Sequence, residues 1–70
     1  MPKAEITNEI RRLRFENDEM TQQDLADRAG CSRQTIVLLE QERYVPSLAL
    51  AMRIAQVFGM AVDDVFTLAD

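Results

Sequence analysis

The 70-residue sequence contains no histidine, and this absence bears first on catalysis. Histidine is the base of the common Ser-His-Asp triad and a usual ligand of protein-bound zinc. The two glycines of the chain are too few for a glycine-rich phosphate loop. The adjacent carboxylates of Asp63 and Asp64 diverge on a helix and do not form a catalytic pair. We therefore expect no enzyme, no catalytic residue, no metal ion and no cofactor.

Long apolar segments and cysteines are also scarce. No run approaches the ~20 apolar residues of a membrane span, and the N-terminal segment lacks the apolar stretch of a secretion signal. Cys31 is the single cysteine and has no partner for an internal disulfide. These features predict a cytoplasmic protein. Cys31 itself is interpreted as a small buried residue in a turn, and a redox role is the alternative.

What is present favours one compact helical domain. Hydrophobic residues make up 47% of the chain, and glycine and proline are rare, which argues against disorder. A chain of this length allows a single domain, residues 1–70. We expect its ordered core at about residues 6–66.

The stretch from Thr21 to Glu40 has the clearest local pattern, two short helices around a tight turn. Thr21 is a helix-capping residue with Asp24 three positions later, a short form of the capping box. Gly30 follows the last apolar residue of the first helix, where a left-handed residue often ends a helix. Ser32 is a good N-cap for the second helix. These signals together predict a helix-turn-helix unit.

The second helix of this unit has two different faces. Ile36 and Leu39 lie three residues apart and face the interior. Arg33, Gln34 and Val37 lie on the other side, at spacings of three and four residues. In a major groove, arginine matches guanine, glutamine matches adenine and an apolar side chain meets the thymine methyl group. The alternative interpretation is a solvated polar face with a scattered surface valine.

The formal net charge is −4, from twelve acidic and eight basic residues, which argues against nucleic-acid binding when averaged over the molecule. Basic and acidic residues are, however, concentrated in different parts of the sequence. The arginines that flank or lie within the two-helix unit are Arg11, Arg12, Arg28, Arg33 and Arg43. Asp63, Asp64 and Asp70 lie far along the chain. We expect a polarised molecule whose affinity for DNA falls steeply with salt.

Three further helices are predicted, at about residues 7–17, 47–58 and 62–68, with fraying after residue 66. Pro46 ends any helix before it, and Ser47 caps the helix that follows. The periodic apolar residues that mark the inner faces are Ile6, Ile10, Leu13, Leu48, Ala51, Ile54, Ala55, Phe58, Val62, Val65 and Phe66. The expected fold is all-α, with five helices in one domain.

Motifs along the chain form a recognisable set. They are Ile10-x-x-Leu13-Arg14, Thr21-Gln22-Gln23-Asp24-Leu25-Ala26, Gly30-x-Ser32-Arg33-Gln34-Thr35-Ile36-x-x-Leu39-Glu40, Arg43-Tyr44-x-Pro46-Ser47-Leu48, Ile54-Ala55-x-x-Phe58 and Val65-Phe66. With them the chain resembles the Cro/CI-type (XRE-like) helix-turn-helix family of phage repressors and small bacterial regulators, especially its minimal one-domain members. The resemblance implies a compact five-helix, lambda-repressor-like DNA-binding domain.

The resemblance also implies roles for single residues. The implied base contacts are Arg33, Gln34 and Val37, and the implied sugar–phosphate contacts are Gln22, Ser32, Thr35 and Arg43. Arg14 and Glu40 resemble a partly buried ion pair that links the first helix to the end of the third. Two alternatives stay open. Gln22 is either a phosphate clamp or a plain first-turn residue, and Arg43 either holds a phosphate or pairs with Glu40 or Glu42.

One loop departs from the family pattern. Asn-Gly and a basic residue often follow the third helix in the family, whereas this chain has Gln41-Glu42-Arg43. The carboxylate of Glu42 would repel a phosphate, so it opposes the backbone contact expected of Arg43. The segment between Arg14 and Thr21 is also one residue longer than usual.

The predicted function is a sequence-specific DNA-binding transcriptional regulator, a repressor that inserts the third helix into the major groove of a palindromic operator as a homodimer. The expected dimer interface comprises Met60, Ala61, Val62 and Phe66, with Leu68 as a further candidate, and Leu38 is the alternative contact. The alternative function is a protein-interaction module, such as the antitoxin-like half of a toxin–antitoxin pair, which the pI of about 4.6 favours. We expect double-stranded DNA as the partner, with no membrane and no small-molecule effector.

Overall fold

The computed structural model describes residues 5–68, so the acidic Asp70 lies outside the described residues. The elements in chain order are β1 (Ile6–Asn8), α1 (Ile10–Glu16), α2 (Gln22–Ala29), α3 (Arg33–Glu40), α4 (Leu48–Phe58), α5 (Val62–Val65) and β2 (Phe66–Leu68). The prediction of a five-helix fold is confirmed, and a small two-stranded sheet is added to it. Within residues 5–68, no helix has both the length and the apolar character that a membrane crossing requires.

The helix ends follow the capping residues of the sequence. The hydroxyl of Thr21 accepts from the amide of Asp24 at 2.9 Å, and the Thr21 amide donates back to the Asp24 carboxylate at 3.4 Å. The hydroxyls of Ser32 and Ser47 each accept from the amide three residues later, at 3.1 Å. Gly30 ends α2 with φ +74°, a conformation that glycine adopts without strain. The predicted boundaries of α2, α3 and α4 are therefore confirmed to within a residue or two.

The two strands correct the predicted ends of the first and last helices. Ile6–Asn8 pairs with Phe66–Leu68 in antiparallel register, so α1 begins only at Ile10 and α5 ends at Val65. Residues 67 and 68 lie in a strand and are not frayed. Threonine and isoleucine favour extended backbone, and the pairing satisfies backbone groups that two short helix ends would leave open.

Every helix contributes at least one fully buried side chain to a single core. These side chains are Ile10 of α1, Leu25 of α2, Ile36 and Leu39 of α3, Ile54 of α4 and Val65 of α5. No polar or charged residue is buried in the part of the chain that the structure describes. The underside of α3 is thus held by the core, and its opposite face is left at the surface.

Candidate nucleic-acid interface

Helix α3 presents one face and its N-terminal end to solvent. Arg33 and Gln34 are exposed and Val37 is half-buried, whereas Ile36 and Leu39 on the underside are buried. The three side chains expected to contact bases are therefore accessible on one helix of eight residues. Such a helix fits the major groove of B-DNA, which is about 12 Å wide.

Two hydroxyl groups lie at the N-terminal end of α3. The side-chain oxygens of Ser32 and Thr35 are 2.9 Å apart, and the Ser32 hydroxyl also accepts from the Thr35 amide at 3.1 Å. Only one hydroxyl hydrogen is used in the mutual bond, so the other is available for an outside acceptor. The pair can therefore donate to an anion while it caps the helix.

A bidentate ion pair joins α1 to the last residue of α3. The guanidinium of Arg14 donates to the two carboxylate oxygens of Glu40 at 2.7 and 3.1 Å, and also to the carbonyl oxygen of Met20 at 2.8 Å. The two side chains are only 15% and 10% exposed. Paired geometry of this kind is both stronger and more directional than a single contact. It fixes the C-terminal end of α3 against α1 and against the turn that precedes α2.

Gln22 belongs to the same network. Its amide nitrogen donates to Glu40 Oε1 at 3.1 Å. A glutamine amide has two hydrogens, so one remains for another acceptor. Gln22 also lines two surface hollows, one of about 390 Å³ beside Arg33 and one of about 340 Å³ beside Val37. Its position therefore joins the first turn of α2 to both ends of the exposed face of α3.

The turn after α3 places a residue other than glycine in a left-handed backbone conformation. The amide of Glu42 donates to the Leu39 carbonyl and the amide of Arg43 donates to the Leu38 carbonyl, both at 3.0 Å. This pair of bonds is a Schellman motif, in which glycine normally occupies the left-handed position. Here Glu42 has φ +60°. In the described residues Arg43 forms no ion pair with Glu40 or Glu42, and its side chain is exposed.

Two residues whose side chains bind the helix-turn-helix unit were not predicted from the sequence. Asn8 donates to the Leu39 carbonyl at 2.8 Å and accepts from the Ile10 amide at 3.2 Å, so it links the start of α1 to the end of α3. Arg53 donates to the Ala29 carbonyl at 2.8 Å, at the C-terminal end of α2. Asparagine often accepts a hydrogen bond from the backbone amide two residues later, so the bond of Asn8 to Ile10 has a local signal and the bond to Leu39 has none. The Arg53 contact depends on tertiary packing and has no local signal.

Cys31 lies in the turn between α2 and α3 and packs, half-buried, against the core. Burial raises the pKa of the Cys31 thiol, and the positive charge of Arg53 opposes that change. A raised pKa lowers the fraction of the reactive thiolate near neutral pH. The environment of Cys31 therefore favours an unreactive packing residue.

The residues expected at a dimer interface differ in accessibility. Phe66 is only 8% exposed and belongs to the core, because α5 and β2 fold it beneath the surface. Met60 and Val62 are half-buried against the same core, and Ala61 is exposed. Phe66 therefore offers little surface to a partner chain in this conformation.

Comparisons with known proteins agree with this architecture. Residues 10–65 match the sequence profile of the helix-turn-helix family. An uncharacterized HTH-type transcriptional regulator of Methanocaldococcus jannaschii is 49% identical over 51 residues, which cover 73% of this chain and 77% of the relative. The uncharacterized HTH-type transcriptional regulator YgzD of Bacillus subtilis is 38% identical over 65 residues, which cover 93% of this chain and 97% of the relative.

A solved structure supports the fold. The crystal structure of a candidate DNA-binding protein from Bacteroides fragilis aligns with a TM-score of 0.76 at 22% identity, and the alignment covers 89% of this chain and 98% of the other. The family profile spans both helices of the turn unit and their supporting helices. The chain belongs to the helix-turn-helix family of transcriptional regulators, of the Cro/CI type that its motifs resemble.

Proposed function

We propose that this regulator is a sequence-specific repressor that binds a palindromic operator as a homodimer. Helix α3 enters the major groove, where Arg33 contacts guanine, Gln34 contacts adenine and Val37 meets a thymine methyl group. Gln22, Ser32, Thr35 and Arg43 contact sugar and phosphate, and thereby set the position of α3. The proposal keeps the cytoplasmic location that the scarcity of apolar segments predicts.

The observation that carries the proposal is the division of α3 into two faces. Its underside is fixed in the core by Ile36 and Leu39, while Arg33, Gln34 and Val37 remain accessible. Arg14, Gln22 and Asn8 also hold the C-terminal end of α3, through Glu40 and the Leu39 carbonyl. A helix that is merely solvated needs no such support. Rigid support of this kind is what precise contact with base edges requires.

The homodimer of the proposal needs an apolar surface that two copies of the chain share. Operator binding by a helix-turn-helix dimer places two half-sites about 34 Å apart, one turn of DNA. Met60, Ala61 and Val62 remain candidates for the shared surface, and the burial of Phe66 shifts the exposed apolar contribution to Leu68. The half-buried Leu38 is the alternative contact.

The protein-interaction module remains the second candidate, because specific observations favour it. The chain is acidic overall, with a net charge of −4, and it exposes several large apolar side chains. These are Phe15, Tyr44, Val45, Leu48, Met52 and Leu68. Such residues suit contacts with another protein, for instance in a toxin–antitoxin pair.

Selection of bound sequences from random duplex DNA at fixed low salt tests the proposal. We expect enrichment of a palindrome, and we expect the double substitution Arg33→Ala, Gln34→Ala to abolish that enrichment. Each lost bidentate base contact removes about 1–3 kcal/mol of discrimination. The matched control is Arg12→Ala, Gln56→Ala, which removes the same chemistry from exposed positions outside α3.

The outcomes separate the two candidates. Loss of the palindrome in the α3 double variant but not in the control supports base reading by α3. No enriched sequence with the wild-type chain contradicts the proposal and leaves the protein-interaction module. Enrichment of a single half-site without its inverted repeat contradicts the homodimer alone.

A further inference from the structure

Helix α1 carries three arginines close together, and their surroundings differ. Arg12 is bound by two carboxylates of its own helix segment, at 2.9 and 3.0 Å. Arg14 is bound by Glu40. Arg11 has no ion-pair partner among residues 5–68. The charge of Arg11 is therefore available to a group outside the chain.

Arg11 lies beside the exposed face of α3. It lines the surface hollow of about 340 Å³ together with Gln22, Val37 and Gln41, and the Arg14–Glu40 pair lies at the same hollow. Val37 and Gln41 are four residues apart, so they follow one another along one side of the helix. Arg11 thus borders the C-terminal half of α3 on the side that carries Val37.

The carboxylate that lines this hollow belongs to Glu40, and both of its oxygens already accept hydrogen bonds. Its two oxygens accept from Arg14, and Oε1 accepts from Gln22 as well. The positive charge of Arg14 compensates the Glu40 carboxylate at close range. The hollow therefore combines one uncompensated cation with a neutral ion pair, which favours an anion at its mouth.

We propose that Arg11, assisted by the side-chain amide of Gln41, binds one phosphate of the DNA backbone on the α1 side of α3. This inference rests on the proposed function and adds a residue that the family resemblance does not imply. A guanidinium donates through several N–H groups in a fork that matches phosphate oxygens, and the Gln41 amide adds a further donor. The contact positions the helix and reads no base.

The location agrees with the geometry of major-groove docking. Residues at the N-terminal end of the recognition helix meet the bases, and neighbouring elements meet the sugar–phosphate strands on either side. Ser32 and Thr35 lie at the beginning of α3, while Arg11 and Gln41 lie at its end. The two pairs would hold α3 at both ends. The net charge of the chain is acidic, but an arginine without an ion-pair partner at this place attracts a DNA phosphate locally.

The test compares Arg11→Met with Arg12→Met, two adjacent arginines that differ in their partners. Affinity for a selected duplex is measured over a range of salt concentrations, and folding is checked by thermal melting. For Arg11→Met we expect the slope of log K against log salt to fall in magnitude by about 0.9 for each protomer, or about 1.8 for the bound homodimer, with about fivefold to tenfold weaker binding per lost contact near 0.1 M salt. Arg12→Met keeps the wild-type slope, and Arg11→Lys retains most of it.

Single methylphosphonate substitutions in the duplex identify the phosphate. We expect one neutralised phosphate in each half-site to weaken the wild-type protein and to leave Arg11→Met almost unaffected. Equal sensitivity of both proteins at every position overturns the proposal. Equal salt slopes for Arg11→Met, Arg12→Met and the wild type overturn it as well.

Failure here is distinguishable from failure of the proposed function. If Arg33→Ala, Gln34→Ala abolishes sequence selection while Arg11→Met behaves like Arg12→Met, only the phosphate contact is wrong. If the wild-type chain selects no sequence, the slope is measured on a random duplex, since phosphate contacts do not depend on sequence. Absence of binding to that duplex overturns both proposals. If Arg11→Met loses binding to a protein partner while its salt dependence with DNA stays unchanged, Arg11 makes a protein contact. That result also overturns the phosphate contact proposed here.

Discussion

At the scale of single residues, Glu42 has a side chain that does not suit its backbone conformation. It occupies the left-handed position of the Schellman motif that ends α3, with φ +60°. A side chain with a Cβ atom costs about 1–2 kcal/mol in this conformation, whereas glycine adopts it freely. Glu42 also brings a carboxylate next to Arg43, where a phosphate contact is proposed. Glu42 therefore lowers stability, and its carboxylate opposes the phosphate contact that we propose for Arg43.

We predict that Glu42→Gly raises the free energy of unfolding by about 0.5–1 kcal/mol. The strain relieved in the folded state exceeds the extra conformational entropy that glycine gives the unfolded chain. Urea denaturation measures the change. Glu42→Ala is the matched control, because it removes the charge and keeps the strained backbone. Equal stability of the two variants would show that charge, and not backbone strain, limits this position.

The ion pair of Arg14 and Glu40 gives the largest change in the free energy of unfolding that we predict for a single substitution. Arg14→Met leaves the Glu40 carboxylate without its counter-ion at a site that is 10% exposed. Removing one partner of a largely buried pair costs about 3 kcal/mol or more, whereas an exposed pair contributes less than about 1 kcal/mol. Urea melts of Arg14→Met and of the exposed-pair variant Arg12→Met provide the comparison. A stability of Arg14→Met within error of the wild type would reject an energetic role for the pair.

At the scale of elements, the sequence predicts the features that depend on local signals and misses those that depend on tertiary contacts. The starts of α2, α3 and α4 follow Thr21, Ser32 and Ser47, because a cap acts over three or four residues. The strands β1 and β2 are three residues each, too short for a visible alternation, and they pair across most of the chain. The exposed face of α3 follows from its periodicity. The supporting contacts of Asn8 and Arg53 do not, since they depend on how the helices pack.

Asn8 connects two elements through its two amide atoms, and Asn8→Asp separates them. The carboxylate still accepts from the Ile10 amide at the start of α1, but it no longer donates to the Leu39 carbonyl. It also places a negative charge at the C-terminal end of α3, where the helix dipole is negative. We predict a loss of about 1–2 kcal/mol in the free energy of unfolding. Asn17→Asp is the control with a smaller expected loss, because Asn17 donates to the Leu13 carbonyl only four residues away and this bond joins no second element.

Thermal melts of the two asparagine variants measure this difference. Wild-type stability of Asn8→Asp would mean that the bond to Leu39 makes no net contribution. A loss equal to that of Asn17→Asp would mean that the bond between β1 and α3 contributes no more than a local bond at the end of α1. Only a larger loss of stability for Asn8→Asp supports the conclusion that β1 stabilises the position of α3 through Asn8.

At the scale of the whole molecule, small size and surface composition act together. A chain of 70 residues buries about 60% of its unfolded surface, so its stability as a monomer is modest. Net charge is acidic, yet Arg11 and Arg33 each line a surface hollow together with Gln22. Association with a second copy and with DNA would each add stability to such a chain. A homodimer therefore has a measurable consequence before any operator is known.

We predict that the melting temperature rises by about 5–10 °C over a hundredfold increase in protein concentration, as expected when unfolding separates two small subunits. Leu68→Glu should abolish this dependence, because Leu68 is 71% exposed on β2 near the proposed interface. Leu48→Glu is the matched control, since Leu48 is 72% exposed at the start of α4. A melting temperature independent of concentration in the wild type would contradict the homodimer. Loss of the dependence in Leu48→Glu alone would move the interface to α4, whereas retention in both variants would favour Leu38.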